Sequence, residues 1–325
     1  MVDSTTVSAD IVARRTAKRV PGATTAYLVL DTESVPDGDL LRRVKYADEV
    51  ITADEAVARA QLEARGLSNT GSDFLPVTFQ SPIAVCVLRV GDDFTPQALT
   101  CLDAPQFRTE EMVRQFWRGV AHYPKAKLVT FNGRGFDLPL LELAAYDYGV
   151  SAREYFAASR GRFAGNHIDL LDWLTNFGAY RMNGGLDNLS KRLHGDNRKR
   201  LLDDLDGPPG KKGIAGDQVL ELYRAGRLQE INDYCLCDTL DTFFVFLRTR
   251  VVMGELTRDE LKLLVRRALE WLETKAESLP AVAKYLTSWK PAQGQGSGPQ
   301  AAVLPCTDPD PAPVPIAVPV PAPEL

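Results

Sequence analysis

Residues 27–33 read Tyr-Leu-Val-Leu-Asp-Thr-Glu, four largely apolar residues running into two carboxylates with one residue between them. A short apolar run bounded by polar residues reads as a buried strand. Strand geometry sends residues two apart to the same face, roughly 6 to 7 Å from each other along the backbone. Asp31 and Glu33 can therefore reach one cation. Taken alone, the same pattern also fits a strand that ends in a solvated turn.

Outward from this stretch, strand-like and helix-like segments alternate. Pro82–Val90 (PIAVCVLRV) is a second expected strand, Gln97–Leu102 a third, and Lys127–Phe131 (KLVTF) a fourth that leads into Asn132-Gly133. Residues 39–66, rich in Ala, Leu, Glu and Arg, read as helix with a break near Val50–Thr52. Further helices are expected over Glu110–His122, Leu138–Tyr148, Leu170–Phe177, Leu186–Leu193, Asp217–Ala225, Leu228–Met253 and Arg258–Leu286. Strands early and helices late, with short connections, place the chain in the α/β class as a mixed sheet flanked by helices. Active sites of such folds sit at strand ends.

Composition excludes several classes. The chain has 325 residues, 45% hydrophobic and 25% charged, which is enough apolar content for a core. No run approaches the roughly 18 apolar residues that a membrane span needs, so no membrane partner is expected. A net charge of −5 argues against non-specific coating of nucleic acid, and any such contact must be local. Five scattered cysteines do not make a disulfide-stapled module, and the first 20 residues have no apolar stretch of the secretory kind. A reducing, cytoplasmic location is the expectation.

The ends differ from the middle. Residues 1–24 are expected to be flexible, and residues 291–325, rich in Pro and Ala with no periodic apolar face, read as a disordered tail. The tail's composition leaves room for a protein partner, though nothing else in the sequence supports one.

Two more acidic motifs follow the first. Phe131-Asn132-Gly133-Arg134-Gly135-Phe136-Asp137-Leu138-Pro139 joins a strand to a helix through two glycines, which permit positive φ or close approach of another chain. Asp137 stands where the helix should begin, and helix capping competes there with a functional role. Tyr234 and Asp238 lie four residues apart on a helical segment, which puts phenol and carboxylate on one face; a core tyrosine beside an exposed aspartate has the same spacing. Cys235 and Cys237, about 200° apart around the helix, cannot easily share a zinc ion and read as small buried hydrophobes.

Together, in this order, D-T-E, F-N-G-R-G-F-D-L-P and Y-C-L-C-D resemble the three motifs of the DEDDy class of 3′-to-5′ exonucleases, and most nearly the group related to the proofreading domain of family B DNA polymerases. His167-Ile168-Asp169-Leu170-Leu171-Asp172, Gly185–Leu189, Gly210–Gly213 and Gly216–Val219 add to the likeness, which spans residues 25–255. No counterpart of that family's polymerase domain is expected among these residues. The resemblance implies an RNase H-like exonuclease domain over 25–255, with residues 256–290 as a helical extension. It also implies two divalent metal ions, Mg²⁺ or Mn²⁺: Asp31 would bridge them, Glu33 and Asp238 would complete the first ion's shell, and Asp137 would help hold the second, largely through water. Tyr234 would orient the attacking water. The related class with histidine would place it at position 233, which is Asp here.

The implied substrate is single-stranded or frayed nucleic acid, with DNA favoured over RNA, cut to mononucleotides. Asn132, Phe136, Lys191, Arg192, Lys211 and Lys212 are the candidate contacts to it. His167 reads as structural rather than catalytic, and Asp169 and Asp172 suit a helix N-terminus. Two rival functions share the same residues: an RNA-trimming exonuclease, and an RNase H-like nucleic-acid-binding module without catalysis.

Overall fold

The computed structural model describes residues 23–158, 165–193 and 218–289. Five strands form one sheet: β1 (Thr25–Pro36), β2 (Gln80–Gly91), β3 (Pro96–Cys101), β4 (Lys127–Thr130) and β5 (His167–Asp169), in the order β3-β2-β1-β4-β5. β2 runs antiparallel to both β1 and β3, while β4 is parallel to β1 and β5 is parallel to β4. This is the expected α/β fold, a mixed sheet flanked by helices and consistent with an RNase H-like exonuclease.

β1 is longer than its apolar run, because β2 continues to pair with it as far as Pro36 opposite Gln80. Asp31 and Glu33 thus lie inside a strand, and the solvated-turn alternative falls away. Alternation then decides what each face of β1 carries. Leu28 and Leu30 join Val85 in one core, packed on Met112, Val113, Phe116 and Trp117 of α3 (Thr109–His122) and on Leu138 and Leu141 of α4 (Asp137–Asp147). Val29 faces the opposite core, with Cys86, Leu88 and Val90 of β2 and the long helix α9 (Leu228–Val252).

α9 is buried on nearly all sides, including Ile231, Tyr234, Leu236, Phe243 and Phe246, and is therefore a central helix rather than a surface one. Its outer side is covered by α10 (Arg258–Glu273), through Leu261, Leu264 and Ala268, and by α11 (Pro280–Trp289), through Val282 and Tyr285. Each of these large side chains contributes about 1.5–3 kcal/mol of burial free energy. The single expected helix over Arg258–Leu286 is two helices, the second entered through Pro280, whose fixed φ suits a first helical turn.

The connection from β1 to β2 holds α1 (Gly38–Val44) and α2 (Ala53–Leu67), which share a small core of Leu41, Tyr46, Ala56, Val57, Ala60 and Leu75. The break between them is fixed by a capping box, in which Thr52 caps the Glu55 amide and the Glu55 carboxylate accepts from the Thr52 amide. Four short helices complete the described chain: α5 (Arg153–Ala157), α6 (Leu170–Leu174), α7 (Gly185–Leu193) and α8 (Val219–Arg224). α5 and β5 were not expected as such. Both are too brief for periodicity to reveal. Among the described residues no helix is long and apolar enough to cross a membrane.

Candidate active site

On the α9 face of the sheet, Asp31 and Glu33 of β1 meet Asp238 of α9. Each offers a carboxylate oxygen, and the three oxygens lie within 4.8 Å of one another. The two strand residues are half-buried and Asp238 is buried. Three hard oxygen donors at this spacing fit a Mg²⁺ or Mn²⁺ ion, which such ligands prefer over softer metals. Among the described residues this is the one cluster of three or more potential metal-ligating side chains so closely spaced.

The two elements that bring the cluster together are pinned beside it. Cys235 Sγ donates to the Asp31 carbonyl at 3.1 Å, tying α9 to β1 at the acidic residue itself. Burial pushes the Cys235 thiol well up, and the nearby Asp31 and Glu33 charges push in the same direction, so it remains a neutral donor. Cys86, opposite Asp31 in the β1–β2 register, lies 3.6 Å from Cys101 Sγ and touches the Asn232 side chain of α9. Cys237, pushed up to about 12 by burial, is likewise a neutral thiol. All four of these are free thiols, which for Cys235 and Cys237 agrees with their reading as small packing residues rather than zinc ligands. Tyr234, buried in the α9 core, stands one turn before Asp238 on the same helix face.

Asp137 stands outside the three-carboxylate group. It is the first residue of α4 rather than its cap, a place taken by Phe136 without a side-chain bond. The buried Asp137 carboxylate instead accepts the Thr32 hydroxyl at 2.7 Å. Burial raises its pKa to about 6, and the bond from Thr32 works against that rise.

The loop before α4 is shaped by contacts that the sequence did not disclose. Asn132 takes the positive φ, +66°, while Gly133 is required for space: a Cβ there would stand 2.3 Å from Thr130 Oγ1. Asp169 Oδ1 accepts the Asn132 amide at 3.0 Å and Asp169 Oδ2 accepts the Arg134 amide at 2.8 Å, while the same carboxylate caps α6. Arg134 Nε donates to Asp172 at 2.9 Å. His167 Nε2 lies 2.8 Å from Thr130 Oγ1, and burial lowers its pKa to about 3, so the ring is neutral. The H-I-D-L-L-D stretch is thus the anchor of the loop that delivers Asp137.

Of the candidate nucleic-acid contacts, Asn132 is exposed and Phe136, the residue before Asp137, is half-buried. Lys191 and Arg192 fall in the last turn of α7. Lys211, Lys212 and the two chain ends lie outside the described residues.

No curated protein matches the chain at a significant level. The profile of one family does, described as a predicted 3′-5′ exonuclease related to the exonuclease domain of PolB, over residues 72–289. The matched stretch contains Asp137, Tyr234 and Asp238 and begins after β1.

Proposed function

The chain belongs to this family of predicted 3′-5′ exonucleases, and we propose from that premise that it is a metal-dependent exonuclease releasing mononucleotides from the 3′ end of single-stranded or frayed DNA. The observation that carries the reading is the convergence of Asp31, Glu33 and Asp238 within 4.8 Å. A phosphodiester is already anionic, and two divalent cations roughly 3.5–4 Å apart would offset its charge and lower the pKa of the attacking water.

In this reading Asp31, Glu33 and Asp238 would hold one divalent cation and Asp31 and Asp137 would help to hold a second, and the cations would supply charge neutralisation and an activated water. Tyr234 would orient the attacking water by a hydrogen bond, a positioning role. Asn132 and Phe136 meet the strand, and Lys191, Arg192, Lys211 and Lys212 contact phosphates. Residues 25–255 form the exonuclease domain and 256–290 its helical extension. Residues 1–24 and 291–325 flank them. Free thiols support a reducing compartment, here the cytoplasm.

The deciding experiment incubates the pure protein with 5′-labelled single-stranded DNA or RNA in Mg²⁺, Mn²⁺ or EDTA. A one-nucleotide ladder from DNA in either metal, absent in EDTA, is the expected result. A ladder from RNA alone would reassign the substrate, and no ladder with any metal would overturn the enzyme reading.

A further inference from the structure

Phe74 is 60% exposed, yet its ring packs on Phe136, with centroids 5.5 Å apart and planes inclined by 53°. The two rings come from different parts of the chain. Phe74 lies in the β1–β2 connection just after α2, whereas Phe136 immediately precedes Asp137. Single exposed apolar residues are ordinary on protein surfaces and need no explanation. A pair of inclined aromatic rings next to Asp137, and linked by contacts to the acidic end of β1, is a different matter.

The position of Phe74 is held from behind. Its neighbour Leu75 is buried in the small α1–α2 core, and the Leu75 carbonyl accepts from Gln80 Nε2 at 3.1 Å. Gln80 Oε1 in turn accepts the hydroxyl of Ser34, the residue next to Glu33, at 3.2 Å. On the other side, Phe136 is carried by the helix start whose Asp137 bonds to Thr32. The ring pair is therefore fixed to the acidic end of β1 by two short chains of contacts, and the open face of Phe74 is left to solvent.

We propose that Phe74 is a base-stacking residue: its open ring face, braced by Phe136, receives an unpaired base at the 3′ end of a single strand. The inference rests on the exonuclease reading above and supplies a reason for its preference for unpaired ends. Every nucleobase has a π-face, so an aromatic platform binds single strands with little regard to sequence. A base held in a duplex has both faces stacked already and can use the platform only after it frays.

The test uses the full-length chain and a single-stranded DNA oligonucleotide with 2-aminopurine at its 3′ terminus, titrated in EDTA to prevent hydrolysis and then degraded in Mg²⁺. Phe74→Ala and Phe74→Leu are expected to raise Kd about 5- to 100-fold and to lose the fluorescence change on binding. Phe74→Trp is expected to keep both. Thermal melting of each variant should match wild type, since the side chain is exposed. If Phe74→Leu binds like wild type, the ring is not a stacking platform and the inference falls. If wild type degrades the strand while Phe74→Ala retains wild-type Kd, the inference falls and the exonuclease reading stands. If wild type neither binds nor degrades it, the exonuclease reading fails first.

Discussion

Thr32 donates its hydroxyl to Asp137 Oδ1 at 2.7 Å, a buried bond between residues 105 positions apart. Thr32 is the residue between Asp31 and Glu33, so one strand positions carboxylates on both of its faces. The odd-numbered pair faces α9 and Asp238, and the threonine faces α4 and holds Asp137.

Replacing Thr32 with Val keeps the shape and removes the donor. Asp137 already has its pKa raised to about 6 by burial, and the Thr32 hydroxyl is the largest of the hydrogen bonds that restrain that rise. In metal-free Thr32→Val protein the Asp137 carboxyl should titrate higher than in wild type, followed by carboxyl-resolved NMR. Stability should fall by about 1–3 kcal/mol, the cost of a buried acceptor without its donor. Thr32→Ser should restore both. An unchanged Asp137 titration in the Val variant would show that the bond does not restrain it.

Asp31→Ala and Asp238→Ala should each abolish cleavage without unfolding the chain. Losing one of three crowded carboxylates removes a metal ligand but relieves like-charge repulsion. Calorimetric Mn²⁺ binding should weaken in both variants, and circular dichroism should be unchanged. Wild-type activity in pure Asp31→Ala protein would contradict the assignment.

Tyr234→Phe retains the buried ring and deletes the hydroxyl. If the hydroxyl positions the attacking water, kcat should drop by about 10²- to 10⁴-fold while Kd for single-stranded DNA changes little. A tyrosine that serves only the core would leave kcat where it was.

Asp241, one helical turn past Asp238, is buried and accepts the Tyr285 hydroxyl of α11 at 2.7 Å. Burial first, and then the Asp238 charge, raise its pKa from 3.8 to about 7. The folded state thus holds this proton more tightly than the unfolded state. Its contribution to stability is full below pH 3.8 and is lost as pH rises through about 7. Asp241→Asn keeps an acceptor for Tyr285 and carries no charge. In EDTA it should be more stable than wild type at pH 8, on the order of 1–3 kcal/mol, and equal to it near pH 4. Denaturant melts at the two pH values measure the difference.

A chain ending at Lys290 should fold and cut a short oligonucleotide normally, because the sequence beyond it has no apolar periodicity with which to join a core. A chain ending at Glu255 should not fold stably. It would expose the side of α9 that Leu261, Leu264, Val282 and Tyr285 cover. Expression yield and cooperative melting distinguish the two.

The parts of the site legible in the sequence were those written at local spacing. Asp31 and Glu33 share a face by the strand period, and Tyr234 and Asp238 by the helix period, so both pairs could be read before any fold was known. What joins the pairs is not local. The Thr32–Asp137 bond, the grip of Asp169 on the Asn132–Arg134 loop, and the meeting of Phe74 with Phe136 all depend on chain segments far apart in sequence. The missed break between α10 and α11 did have a local sign in Pro280, hidden within an otherwise continuous helical pattern.

The alternation along β1 makes reading frame a structural quantity. Asp31, Thr32 and Glu33 sit opposite Cys86, Val85 and Ala84 of β2, while Tyr27–Val29 lie alongside Lys127–Val129 of β4. Loss of one residue between Tyr27 and Leu30 would leave the chain's composition almost untouched yet turn both acids toward α3 and α4 and the threonine toward Asp238. Loss of two would keep the phase and shorten only the reach. Tolerance to deletion in this strand should therefore be odd–even, with parity rather than hydrophobicity deciding which shortened chains retain a place for a cation.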